Sequence, residues 1–248
     1  MKKFIIINLL ALIILPVSIK SEPVNNALFT TVLKKYISYG RVNYARLRYD
    51  TSFKRYLKQL QNSNPLQIKG YNNKLAYWIN VYNAFTLKVV CDNYPITSIN
   101  NLSRGGVKIW DKKFIILNRK TYSLNQVEHQ IIRKYFKDPR IHFALVCAAN
   151  SCPPLRREAY VGSKLNWQLQ NQGWIFLNNR YKNSFNDALK VAKISKIFKW
   201  FKQDFGTSDK KVLLYISRFL PASIKNSIKR NTSSWRIEYR PYSWNLNK

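Results

Sequence analysis

The chain has 248 residues, with 43 Lys and Arg against 11 Asp and Glu, a formal charge of +32 at neutral pH. Hydrophobic residues make up 46% and aromatic residues 15%, which excludes an apolar-poor disordered polycation and leaves enough material for a folded core. Three Cys are too few for a disulfide-built scaffold, and the chain has no collagen-like, Gly/Ser-rich or Gln-rich tract.

Lys2 and Lys3 precede an uncharged run from Phe4 to Ile19, closed by Lys20. That run has 16 residues. A membrane-spanning helix needs about 20, whereas a signal-peptide core runs to about 7–15. Residues 1–21 therefore read as a signal peptide, with Ser21 at the cleavage point, and a short uncleaved anchor is the alternative. The expected mature protein, periplasmic or extracellular, is a single domain over 22–248. Without Lys2, Lys3 and Lys20 it keeps 40 bases against 11 acids, +29.

Leu28, Val32, Leu33 and Tyr36 share one face and predict a helix over 26–38, ended by Gly40. Ser52 is placed to cap a second helix carrying Phe53, Tyr56, Leu57 and Leu60. Residues 73–93 are apolar or small on two faces, which predicts a buried central helix, stopped by Pro95. On this helix Asn80 and Asn83 are expected to bond a neighbouring loop rather than line a site. Strands over 113–117 and 120–123 flank the Asn118-Arg119 turn. A helix over 124–136 follows, then a buried strand over 141–147 and a rigid loop over 151–154. Helices are predicted over 165–177, 194–204 and 210–220, with a short piece after Pro221 and a late strand over 235–239. The sum is an α+β fold, a single compact, mainly helical domain with a small antiparallel sheet.

Reactive side chains are scarce: His129 and His142, Cys91, Cys147 and Cys152, and few acids, of which Glu128 adjoins His129. A cysteine nucleophile needs partial exposure and a group that favours its thiolate. Cys152, in a Pro-rich turn, meets the first condition best; Cys147 reads as a packed thiol and Cys91 as core. His142 is the candidate base, with Glu128 orienting it and His129 as the alternative base. A Cys147–Cys152 disulfide is the competing reading and would leave Cys152 no thiol at rest. The spacing of His129, His142, Cys147 and Cys152 is not a standard zinc pattern. No phosphate-cradling or dinucleotide-binding motif appears, so no cofactor or metal is expected. The positive field suits an anionic polymer or membrane surface, while no specific nucleic-acid reading motif is present.

Several blocks resemble the family called domain of unknown function 547. They include 77–84 (YWINVYNA), 123–129 (SLNQVEH), 138–147 (DPRIHFALVC), 151–155 (SCPPL) and 239–247 (YRPYSWNLN). The resemblance implies a compact fold similar to cysteine hydrolases of the papain, transglutaminase and phytochelatin-synthase type. It sets Glu128, His129, His142 and Cys152 at motif positions. In those enzymes the Cys opens the central helix and precedes the His; here Cys152 follows His142. Two readings result: a cysteine hydrolase or acyltransferase acting on peptide or γ-glutamyl amides, or a non-enzymatic envelope module binding anionic polymers. In a third, the same cluster is a buried polar network that only fixes the fold.

Overall fold

The computed structural model describes residues 24–248; the expected signal peptide lies outside the described residues. Asn25 accepts the Leu28 N–H and opens α1 (Asn26–Tyr36). The chain then turns through a two-residue ladder, β1 (Ile37–Ser38) against β2 (Arg41–Val42). Gly40 belongs to this turn and does not end the helix. Its φ is +78°, and an added Cβ would sit 2.5 Å from the Cβ of Pro154. After α2 (Tyr44–Leu47), α3 (Thr51–Asn62) is capped by Asp50, which accepts the Phe53 N–H at 2.8 Å; Ser52, the expected cap, lies inside the first turn.

The central helix, α4 (Tyr71–Asp92), is buried at every residue from Leu75 to Leu87. A helix without a wet face must satisfy its polar side chains internally. Asn80 does so by bonding both the N–H and the C=O of Tyr160, at 2.9 and 2.8 Å. Asn83 does the same to the Ala144 C=O and the Val146 N–H, each at 2.9 Å. Asn83→Ala would strand two buried backbone groups. A loss of about 2 kcal/mol is expected, lowering Tm by about 5 °C in a thermal melt.

That pair of bonds explains a correction. Residues 141–147 are not a strand: α6 (Ile141–Ala144) is a single helical turn, and the chain runs extended from Leu145. Asn83 supplies the hydrogen bonds that a neighbouring strand would have given. A short apolar run has no period that separates the two cases. Upstream, β3 (Ile115–Leu117) and β4 (Lys120–Tyr122) form the expected hairpin, with Asn118 and Arg119 both at positive φ. The expected helix over 124–136 is present but wound wide: residues Gln126–Ile132 form a π-helical stretch that tightens into α5 (Arg133–Phe136). Such stretches are rare and recur at functional sites.

α7 (Leu165–Leu177) has its predicted bounds. Two strands that the sequence did not suggest follow, β5 (Ser184–Asn186) and β6 (Val191–Ile194). The helix expected over 194–204 resolves into the end of β6, α8 (Ile197–Trp200) and α9 (Lys202–Phe205). Pro221 separates α10 (Asp209–Ser217) from α11 (Ala222–Arg230). β7 (Arg236–Tyr239) then pairs parallel to β6, which pairs antiparallel to β5. The fold is α+β and mainly helical, with three small sheets among the described residues, two antiparallel and the largest mixed.

Two apolar clusters form the interior. One gathers α1, α3, α4 and the β3–β4 hairpin. The other packs Phe143, Phe176, Phe198, Phe205 and Phe219 among α7 to α10. α6 is the seam: Ile141 and Ala144 belong to the first cluster, Phe143 to the second. The C-terminal tail closes the seam. Asn245 C=O accepts the Asn150 N–H at 2.6 Å, Leu246 N–H bonds Thr97 C=O at 2.8 Å, and Asn247 C=O accepts the Val42 N–H at 2.7 Å. Among the described residues no helix is long and apolar enough to cross a membrane.

Candidate active site

Where the two clusters meet, a cavity of about 190 Å³ opens. Tyr82 of α4, Glu128 and His129 of the π-helical stretch, His142 of α6, Cys147 and Cys152, and Tyr242 of the tail all reach its wall. All four residues singled out from sequence therefore share one site. Consecutive residues of an α-helix point about 100° apart; the wider π winding reduces that angle, which lets Glu128 and His129 face the same space.

His142 is buried, its ring stacked on Phe201 with centroids 4.0 Å apart. Its Nε2 lies 2.6 Å from an Asp204 carboxylate oxygen, and its Nδ1 lies 4.0 Å from Glu128 Oε1. Arg133 grips Asp204 with two bonds, Nε at 2.7 Å and an η nitrogen at 2.8 Å. Partial burial opposes the Asp204 charge, but His142 and Arg133 together hold its carboxyl well below the usual range. Burial pushes the His142 pKa down against the pull of Asp204. A neutral His142 facing a carboxylate carries its proton on Nε2, which leaves Nδ1 bare toward Glu128.

Glu128 is the inverse case. Burial raises its carboxyl to about 7, the nearby Tyr82 hydroxyl and Arg133 guanidinium lower it, and Asp204 adds a smaller upward push. It is therefore poised to hold or release a proton near neutrality. The orienting carboxylate of His142 is Asp204, the role expected of Glu128. His129 accepts a bond from Arg133 on Nδ1 at 3.1 Å. Burial, then Arg133, lowers its pKa, so neither histidine rests as a cation that would favour a thiolate.

The two cysteines correct the expected nucleophile. Cys147 and Cys152 are joined, Sγ to Sγ, at 2.11 Å, so Cys152 carries no thiol and Cys147 is its partner rather than a packed thiol. Ala148, at φ +61°, turns the chain back and brings the two Cα atoms to 6.3 Å, within bridging range. Cys152 is 2% exposed; Cys147 is partly exposed at the cavity. The Cys147 N–H donates to Cys152 Sγ at 3.0 Å. The Tyr242 hydroxyl stands 3.3 Å from both sulfurs, and since a disulfide holds no proton, the hydroxyl is the donor. Behind them Lys182 bonds the carbonyls of Asn150 and Cys152, its pKa pushed down by burial to about 8. Cys91 is the buried core thiol that the sequence suggested, raised by burial to about 12.

Residues 66–177 match the family model described as protein of unknown function, DUF547. Over this segment the chain is similar to the DUF547 family. The DUF547 match contains Tyr82, Glu128, His129, His142, Cys147 and Cys152, whereas Phe201, Asp204 and Tyr242 come from chain beyond it. No curated protein and no solved structure matches.

Sequence reasoning missed Asp204 and Tyr242; Arg133, a candidate ion-pair partner for Glu128, pairs with Asp204 instead. The scarcity of acids was the available signal for Asp204, one of only 11 Asp and Glu in the chain. Trp110, Trp200 and Trp244 complete an aromatic rim, in mutual contact at centroid distances of 5.5 Å (Trp110–Trp244) and 5.9 Å (Trp200–Trp244). Among the described residues no group of three or more His, Cys, Asp or Glu is placed to hold a metal ion. The chemistry within reach is proton transfer through Glu128 and His142, and exchange at the disulfide.

Proposed function

We propose that this cavity carries out thiol–disulfide exchange, with Cys147 and Cys152 as the redox pair and Glu128 as the proton carrier. The observation that carries the reading is the Tyr242 hydroxyl placed 3.3 Å from both sulfurs of a disulfide that lines the cavity. A substrate thiolate attacks the more exposed Cys147 sulfur and forms a mixed disulfide. Cys152 leaves with the bonding electron pair, its thiolate held by the Cys147 N–H and the Tyr242 hydroxyl, and takes a proton supplied by Glu128. A second substrate thiolate then attacks the substrate sulfur and releases Cys147. Two substrate thiols are oxidised to one disulfide, and the protein disulfide is reduced to a dithiol. A disulfide-bearing partner reverses the sequence and reoxidises the pair. Export directed by residues 1–21 would keep the protein in an oxidising compartment, where such a pair persists.

The His142–Asp204 bond at 2.6 Å favours a second reading, the cysteine hydrolase. Reduction would free a thiol, and the aligned imidazole would serve as base in attack on a peptide or γ-glutamyl amide.

Equilibration with graded ratios of reduced and oxidised glutathione, followed by alkylation and mass spectrometry, tests the first reading. Reversible exchange is expected, with glutathione trapped on Cys147 in Cys152→Ser and exchange slowed at least about tenfold in Tyr242→Phe. A pair that stays oxidised in the folded protein under millimolar thiol would make the bridge structural. Amide cleavage of a γ-glutamyl anilide, present only after reduction and lost in Cys152→Ser, would establish the hydrolase instead.

A further inference from the structure

Outside this cavity a concavity of about 740 Å³ lies on the far side of the same Cys152–Leu155 segment. One wall is the β1–β2 turn, where Gly40 presses on Pro154; the other is the outer face of α7. Tyr39 at the turn is fully exposed and Trp167 on α7 is 59% exposed, so two aromatic rings flank the groove without covering each other. Three cations border it against one carboxylate. Arg156 pairs with that carboxylate, Glu158, at 2.6 Å, and its guanidinium lies 5.0 Å from the Trp167 ring. Lys34 and Arg157 are exposed, and among the described residues neither is ion-paired, although one Arg157 η nitrogen donates to the Lys34 C=O at 3.0 Å.

The groove's amides add to the same polarity. Asn171 Oδ1 accepts from Arg156, and Asn179 Oδ1 accepts from the Tyr181 N–H, so the NH2 of each is the group left to donate. A surface that offers donors, two cations without a carboxylate partner and two aromatic platforms suits an acceptor-rich, negatively charged ligand with faces that stack. The concavity favours a strand that can lie in it over a planar membrane, whose headgroups would meet only the rims.

We propose that this groove binds a strand of acidic glycan, a polymer of sugar rings bearing carboxylates. Lys34 and Arg157 pair with the carboxylates, and Trp167 and Tyr39 stack on the rings. The site is separate from the exchange chemistry and stands whether or not that reading holds.

The test is binding of the full mature chain to polygalacturonate oligomers by calorimetry, at low and at physiological salt. Binding is expected at low salt and should weaken as salt rises. Lys34→Glu with Arg157→Glu should weaken it at least about tenfold, and Trp167→Ala about tenfold. The control pair Lys210→Glu with Lys229→Glu, exposed residues outside the groove, changes net charge equally and should leave most of the affinity. All these positions are exposed, so the variants should fold, which circular dichroism checks. Equal weakening by the control pair would reduce the effect to overall charge and overturn the proposal. So would equal binding of the methyl-esterified polymer, of poly-glutamate, or of anionic phosphatidylglycerol vesicles.

Discussion

Replacing Asp204 with Ala should cost about 3 kcal/mol of stability at pH 7, read as a lowered urea midpoint with an unchanged slope. The substitution leaves the His142 Nε2–H buried without its acceptor, at 2% side-chain exposure, and removes two of the bonds that fix Arg133, leaving the one to His129. The estimate sits at the low end for breaking a buried pair because Arg133 and Asp204 keep 29% and 24% side-chain exposure, and the freed guanidinium can turn to water. The sign of the pH dependence follows from the depressed carboxyl. Its folded pKa lies below the unfolded value of 3.8, so its contribution is complete above about pH 4 and fades as acid protonates the folded form. The part of the gap between wild type and Asp204→Ala that comes from this carboxyl should therefore narrow below about pH 4, while His142, His129 and Glu128, whose pKa values Asp204 raises, modulate the gap between pH 5 and 8. A gap unchanged at pH 2.5 would mean that the loss comes from packing rather than charge.

Glu128→Gln should do the opposite and stabilise the protein at pH 8. The folded carboxyl titrates near 7 and the unfolded one near 4.5, so between those values the folded chain binds the extra proton. Wild-type stability from this group falls as pH rises through that window and stays low above it, a penalty of about 3 kcal/mol at most. Gln keeps the shape of the protonated acid and cannot ionise. The advantage of the variant should grow from pH 4.5 to 7 and then level. His142 and His129 work against this trend in both proteins, because their lowered pKa values make the unfolded chain take up protons below about 6.5. Their contribution cancels in the difference. Thermal melts of the two proteins across that range decide the matter; parallel curves would place Glu128 in a wetter setting. If Glu128 also carries protons for exchange, the same variant should lose the pH dependence of exchange near neutrality, separating the proton role from stability.

The readable parts of this fold are those where one local signal decides. Asn118-Arg119 turns a hairpin because both residues tolerate positive φ, and α4 announces itself by apolar residues on every side. The 141–147 run failed because its partner is a side chain, Asn83, 61 and 63 residues upstream of the groups it bonds, and no local pattern encodes that. β5 and β6 failed because three- and four-residue strands carry too little alternation. At the site, Glu128, His129, His142, Cys147 and Cys152 stood out by rarity, and they do meet at one cavity. Their roles were less legible. Which carboxylate serves His142, and whether the sulfurs are joined, depend on how α9 and the tail fold back. Asp204 and Tyr242 lie 62 and 90 residues from the groups they serve, His142 and Cys152.

The tail works as a strap. Tyr242 supplies the donor at the sulfurs, and Asn245 to Asn247 are laced to residues near positions 42, 97, 148 and 150. These anchors lie far apart in the chain, so one short segment ties the β1–β2 turn, the stretch after α4 and the disulfide loop together. Loosening the strap away from the cavity should therefore free the Tyr242 hydroxyl from the sulfurs without touching any group of the cavity wall.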